Sequence, residues 1–184
     1  MTEAIRPQYE AHGAAGFYEK FGASYRNPHE PIIQTLIERA ARESNFDFPT
    51  IRVLDLACGS GEATLALREL GFITIDGIDP FTSVAYFERT GQNIETFSFE
   101  DIARGVLSAR RYDWCICSFA LHLASASLLP NVCVQLAQIC RVLWVLTPHK
   151  RPNLKADWGW ELREEILWNR VRLRVYDSSF LVED

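Results

Sequence analysis

The chain lacks the cysteine patterns that cross-link small or secreted domains. Its five cysteines (Cys58, Cys115, Cys117, Cys133 and Cys140) are odd in number and include no C-x-x-C pair. They therefore make a poor disulfide framework and a poor zinc site, and we interpret them as small buried residues in a reducing compartment. A chain of 184 residues can bury a core without such cross-links. We expect one cytoplasmic domain with no metal.

The sequence is also short of positive charge and of long apolar runs. Nineteen Lys and Arg residues stand against 24 Asp and Glu, a formal net charge of −5, which argues against a nucleic-acid partner. No run approaches the roughly 18 apolar residues that a membrane-spanning helix needs. The first ten residues fit neither a signal peptide nor a transit peptide. Nothing in the sequence specifies the oligomeric state.

Apolar strands and amphipathic helices alternate along most of the chain, which predicts an α/β fold with a parallel sheet covered on both faces. The predicted elements are a helix over 31–44, a strand over 51–56, a helix over 61–70, a strand over 72–78, a helix over 82–89, a weaker strand over 94–97, a strand over 112–117, a helix from Pro130 and a strand over 142–146.

The C-terminal residues follow a different pattern. Arg170, Arg172 and Arg174 alternate with Val171, Leu173 and Val175, a period of two that is typical of a strand. A preceding strand over 160–167 and a turn at 168–169 would complete an antiparallel hairpin. The arginines are interpreted as a solvated strand face, with a phosphate-binding row as the alternative.

The segment Val53-Leu-Asp-Leu-Ala-Cys-Gly-Ser-Gly-Glu62 reads as a strand, a glycine-rich turn and the start of a helix. A dinucleotide-binding turn would need Gly or Ala where Thr64 stands, and it has no acid like Asp55 inside its strand. The segment resembles motif I of class I methyltransferases that use S-adenosylmethionine (SAM), with a Rossmann-like sheet. That resemblance implies that the cofactor is bound by Asp55, Cys58, Gly59, Ser60 and Gly61.

The second predicted strand ends in Asp79, 20 positions after Gly59. A carboxylate at such a strand end can accept hydrogen bonds from ribose hydroxyls, and the matching acid of the methyltransferases does so. Pro80 and Phe81 would then flank the adenine. In the next motif Ser98 stands where these enzymes usually have an acid, so the adenine contact falls to Phe99 and Glu100. The alternative is that Glu100 and Asp101 only cap a helix.

The segment 112–123 resembles the corresponding motif of small-molecule methyltransferases of the ubiquinone- and menaquinone-biosynthesis type. The resemblance, which covers about residues 50–147, implies that Ser118 and Phe119 lie beside the methyl group. It also places Tyr18 and Tyr25 in an N-terminal lid over SAM. The single domain thus divides into a lid and first helix (1–44), a SAM-binding core (50–147), and a loop with terminal strands (148–184).

Methyl transfer from SAM mainly requires donor and acceptor to be held in line, but a neutral hydroxyl or a protonated amine also needs a base. The candidate bases are His122, His149, His29 and, less favoured, His12. Each has the alternative of a packing or surface role. The loop 148–160, with three basic residues and two tryptophans, is interpreted as a solvated connection pinned by the tryptophans, with acceptor binding as the alternative.

We therefore predict a metal-independent SAM-dependent methyltransferase that acts on an O or N atom of a small molecule. Three alternatives remain: a protein or RNA methyltransferase, a catalytically silent SAM-binding subunit that needs a partner, and a dehydrogenase. The short chain leaves little room for an acceptor pocket after residue 147, which keeps the silent subunit in consideration.

Overall fold

The computed structural model describes Gly16, residues 18–42 and residues 47–181. Six strands form one sheet in the order β2-β1-β3-β4-β6-β5. The strands are β1 (Arg52–Leu56), β2 (Thr74–Ile78), β3 (Tyr112–Ser118), β4 (Cys140–Thr147), β5 (Trp160–Trp168) and β6 (Val171–Ser178). The described helices are α1 (Glu30–Arg42), α2 (Glu62–Glu69), α3 (Ser83–Thr90), α4 (Phe99–Ala103) and α5 (Leu129–Ile139). None of them is long and apolar enough to span a membrane.

The sheet is parallel from β2 to β4 and antiparallel from β4 through β6 to β5. This confirms the predicted α/β fold with a C-terminal hairpin. Two apolar layers cover the sheet. Ile33, Leu36 and Ile37 of α1 pack with the aromatic residues of one face, because their spacing places them on one side of a helix. The other layer is formed with α4 and α5.

All five cysteines are free and buried, as predicted from their number and spacing. Cys115 and Cys117 alternate along β3 and lie in the same apolar layer. Their role in the fold is packing.

The strand predicted over 94–97 is wrong. Only Glu95 reaches the sheet, through a single parallel bridge to Ile78. Its backbone exchanges hydrogen bonds with Asp79 at 3.0 Å and Gly77 at 3.2 Å. One bridge fixes this segment at the end of β2 without extending the sheet. The helix predicted to end near Ser44 is described as far as Arg42, and Ser44 lies outside the described residues.

The predicted turn of the hairpin is displaced by one residue. Asn169 and Arg170 both have positive φ, 47° and 66°, as a two-residue turn between antiparallel strands requires. The solvated arginine face is wrong for Arg174, which is 5% exposed. Its guanidinium donates to Glu165 at 2.6 Å and to the carbonyls of Lys150 and Pro152. The strand β6 lies between β4 and β5, and the loop after β4 folds over it. Both features bury the Arg174 side chain.

Candidate functional site

A tight turn joins β1 to α2 at the carboxyl end of the sheet. Ala57, Gly59 and Gly61 all have positive φ, at 54°, 57° and 87°, which explains why two of these positions are glycine. Space also limits them. A Cβ atom on Gly59 would lie 3.1 Å from the Tyr25 ring, and one on Gly61 would lie 2.7 Å from Thr90. The turn is therefore both a backbone bend and a packing surface.

Asp79 follows β2 and is held by backbone donors. Its Oδ1 accepts hydrogen bonds from the N–H groups of Phe81 at 2.9 Å and Thr82 at 3.1 Å, and its Oδ2 accepts one from Gly59 at 3.2 Å. Burial raises the pKa of this carboxyl, and the three N–H groups oppose the shift. A carboxylate offers about four acceptor positions, so Oδ2 keeps room for one further donor.

Asp55 lies inside β1 and is 1% exposed. Thr64 donates to its Oδ2 at 2.6 Å, and the same hydroxyl contacts the Tyr86 hydroxyl at 2.9 Å. Burial raises the pKa of Asp55 to about 7, and the nearby Glu62 and Asp79 carboxylates add to the rise. Asp55 thus differs from Asp79 in having one hydrogen-bond donor instead of three.

The segment that precedes α1 covers this turn. Tyr18 lies edge-on to Tyr25, with ring centroids 5.2 Å apart, and stacks with Phe81 at 6.2 Å. Gly22 packs so closely that a Cβ atom there would lie 2.4 Å from the Phe81 carbonyl oxygen. The backbone N–H of Asn27 donates to Glu62 at 2.9 Å. These contacts hold the segment against the turn after β1 and the residues that follow β2.

Arg89 of α3 links α1 to the start of α2 through two acidic residues. Its guanidinium lies 3.2 Å from Glu62 and also pairs with Glu30 of α1. Ser60 donates to the same Glu62 carboxylate. Because Glu62 is buried, its charge requires such partners.

These elements enclose a cavity of about 210 Å³ at the carboxyl ends of β1, β2 and β3. Its wall is largely apolar and aromatic. The lining residues are Tyr18, Tyr25, Asn27, Leu56, Ala57, Cys58, Gly59, Glu62, Ala63, Asp79, Pro80, Phe81, Phe97, Ser98, Phe99, Glu100, Ser118, Phe119, Ala120 and Leu123. The charged members of this described wall are three acids, and no Lys, Arg or His belongs to it.

Most of the predicted cofactor-binding residues lie in this wall. They are Cys58, Gly59, Asp79, Pro80, Phe99, Glu100, Ser118, Phe119, Tyr18 and Tyr25. Asp55 in β1 and Ser60 and Gly61 in the turn do not line the cavity. Sequence reasoning missed Asn27, which no motif marks, and Glu62 and Leu123, each of which ends a quoted motif. Their positions follow from the lid and from the loop after β3.

The two acids at the start of α4, Glu100 and Asp101, have different positions. Ser98 and Asp101 form a reciprocal cap, in which each side chain bonds the other residue's backbone N–H. Asp101 is thus a helix cap, while Ser98, Phe99 and Glu100 line the cavity.

The predicted bases lie outside the cavity wall. His29 stacks on Phe119 at 4.9 Å, and Phe119 holds a positive φ of 57°. His122 and His149 have ring centroids 4.6 Å apart. Burial and the neighbouring His149 lower the pKa of His122 to about 4. His12 lies outside the described residues.

The basic loop after β4 also stays away from the cavity. No residue of 148–160 lines it. Trp158 packs against the core, and the buried Trp160 donates its indole N–H to the Cys133 carbonyl at 2.9 Å. Among the described residues, no group of three or more His, Cys, Asp or Glu side chains is arranged to hold a metal ion.

Comparison with known proteins gives two kinds of similarity. No protein-family model matches the chain. The uncharacterized protein C17A5.05c of Schizosaccharomyces pombe is 36% identical over 233 residues, an alignment that covers 98% of this chain and 94% of the yeast protein.

Solved structures share the fold at lower identity. The magnesium protoporphyrin IX methyltransferase (ChlM) of Synechocystis with bound SAM has a TM-score of 0.64 and 16% identity, covering 97% of this chain and 99% of that one. A TehB-like SAM-dependent methyltransferase of Corynebacterium glutamicum has a TM-score of 0.59 and 13% identity, covering 94% and 99%. The chain therefore has the Rossmann-like fold of class I methyltransferases.

Proposed function

Because this chain belongs to the same family as protein C17A5.05c of Schizosaccharomyces pombe and has the fold of SAM-dependent methyltransferases, we propose that it binds SAM and transfers the methyl group to a small molecule. One observation carries the proposal: the glycine-rich turn and Asp79 wall an aromatic cavity at the carboxyl ends of β1, β2 and β3. The chain runs from β1 to β2 on one side and to β3 on the other, which is where such sheets bind ligands.

The wall offers a matching group for the ribose, the adenine and the methyl group of SAM. The free acceptor position on Asp79 Oδ2 would take a ribose hydroxyl. Phe81, Phe97 and Phe99 would enclose the adenine, with Glu100 as acceptor for its amino group. Ser118 and Phe119 would lie beside the methyl group. Tyr18 and Tyr25 would close the cavity from the lid.

SAM supplies a methyl group on an already activated sulfonium, so the protein's task is to orient the acceptor and exclude water. We propose that the largely apolar wall does this together with Tyr18 and Tyr25 of the segment before α1. We propose that the wall holds the O or N acceptor in line with the methyl group; a neutral hydroxyl or a protonated amine still needs a base for its proton, and none of His29, His122 and His149 lines the cavity. Their roles as bases stay predictions. We propose that no metal ion takes part, because the sulfonium already activates the methyl group.

The acceptor that fits this wall is small. The basic residues of 148–160 lie away from the cavity, and the net charge of −5 does not favour RNA. Five free buried cysteines fit a reducing compartment, and we propose the cytoplasm.

The test is calorimetric titration of the purified protein with SAM and with its demethylated product, S-adenosylhomocysteine (SAH). We expect both to bind, and we expect Asp79→Ala to weaken SAM binding at least tenfold, because a ribose hydroxyl loses its acceptor. The matched control is Asp76→Ala, on the same strand, where the carboxylate pairs with Arg52 at 2.8 Å near the surface. Equal affinity in wild type and Asp79→Ala would overturn the assignment.

A further inference from the structure

The buried carboxyl of Asp55 is only half satisfied. Its Oδ2 accepts the Thr64 hydroxyl at 2.6 Å, whereas its Oδ1 is buried and has no hydrogen-bond partner in the described structure. A buried acceptor without a donor is costly, and more so when it is charged. Asp55 directly precedes Leu56, Ala57 and Cys58, which line the cavity, and its carboxyl interacts electrostatically with the wall residues Cys58 and Asp79.

The groups around Asp55 add negative charge and no free cation. Glu62 on α2 and Asp79 after β2 both raise its pKa by repulsion. Tyr86 on α3, Cys58 in the turn and Cys117 on β3 also interact with it electrostatically, and the buried thiols and phenol are uncharged near neutral pH. Two described guanidinium groups lie in this region: Arg89 is held by Glu62 and Glu30, and Arg68, which interacts with Tyr86, donates to Thr90 and Gln92.

Resting on the proposed function, we infer that a positively charged ligand entering the cavity expels a proton from the Asp55 carboxyl to solvent, and that Asp55 thereby favours SAM over SAH. SAM carries a sulfonium, and the sulfur of SAH is uncharged. A cation near a buried carboxyl stabilises its charged form, because the local dielectric is low. With the pKa of the free carboxyl at about 7, the exchange falls in the physiological range.

Titration calorimetry in phosphate and in Tris buffer at about pH 6.5 measures the proton directly, because the two buffers have different heats of ionisation. We expect SAM to release more than half a proton per site, and SAH to release less. As pH rises toward 7, the Kd for SAM should fall by up to tenfold per pH unit. Above pH 7 it should stay constant. Asp55→Asn should abolish the proton release, and with it the difference in proton release between SAM and SAH. Asp76→Asn should leave both quantities unchanged.

The outcomes separate the two proposals. If neither SAM nor SAH binds, both fail. If SAM binds without releasing a proton, or if Asp55→Asn releases the same number, only the role of Asp55 fails. Should Asp55→Asn not fold, infrared difference spectra of the wild-type protein give the same answer. The band of a protonated carboxyl group is expected to disappear when SAM is added and to persist when SAH is added, and its persistence with SAM would overturn the inference.

Discussion

At the scale of single residues, two acids that look equivalent in the sequence have different environments. Both Asp55 and Asp79 belong to motifs that resemble methyltransferase signatures. Asp79 lines the cavity and accepts three backbone N–H groups, whereas Asp55 lies behind the wall with one hydroxyl donor. The motif spacing predicts that both are near the cofactor. Only the packing of Leu56, Ala57 and α2 decides which carboxylate faces the ligand.

The buried Asp55 predicts how stability depends on pH. Its pKa is about 7 in the folded protein, against an ordinary value of 3.8, so the folded state keeps a proton that the unfolded state loses between these values. The free energy of unfolding should therefore fall as pH rises from about 4 to about 7, by at most about 4 kcal/mol from this group. Urea unfolding of wild type and Asp55→Asn measures it. The stability difference between the two should change with pH, and a constant difference would contradict the prediction.

At the scale of elements, the hydrophobic pattern identifies the strands of the hairpin but not their burial, and it does not predict the position of the lid. The period of two in β6 identifies a strand, but it cannot show that the strand lies inside the sheet, and so Arg174 is buried instead of solvated. The segment 94–97 is apolar enough to suggest a strand, yet it forms one bridge. The lid has no clear periodicity, and its position depends on contacts such as Gly22 against Phe81.

The lid contact gives a prediction at this scale. Gly22→Val should displace the lid, because even a Cβ atom would lie 2.4 Å from the Phe81 carbonyl oxygen. We expect about tenfold weaker SAM binding, equivalent to about 1.4 kcal/mol of binding free energy. We also expect faster amide hydrogen exchange over residues 18–27. Ala23→Val, at the adjacent exposed position, is the control and should bind SAM normally. Equal effects of the two substitutions would argue against a closed lid.

At the scale of the whole molecule, charge and cavity both fit the small-molecule acceptor that we propose. The chain is acidic overall, and the charged residues of the described cavity wall are also acidic. A molecule of this kind gains little from the phosphate contacts that dominate nucleic-acid binding. The largely apolar cavity of about 210 Å³ likewise fits the proposed small acceptor.

This predicts where label from SAM should go. When the protein is incubated with methyl-labelled SAM and a cell extract, label should enter the small-molecule fraction and not the RNA or protein fractions. Extract heated to inactivate its own enzymes, with and without the added protein, is the control. Label that enters RNA in a salt-sensitive way, or enters protein, would favour a macromolecular acceptor instead.

The sequence by itself determined the alternation of strands and helices, the motif of the turn between β1 and α2, and the acid after β2. These features are local, because backbone geometry and hydrophobic period act over a few residues. The tertiary structure decided which of these residues reach the cavity, that the segment before α1 lies against it, and that His29, His122 and His149 stay off its wall. Those outcomes depend on packing between residues distant in the chain, such as Asn27 with Glu62 and Gly22 with Phe81, and no local pattern encodes such contacts.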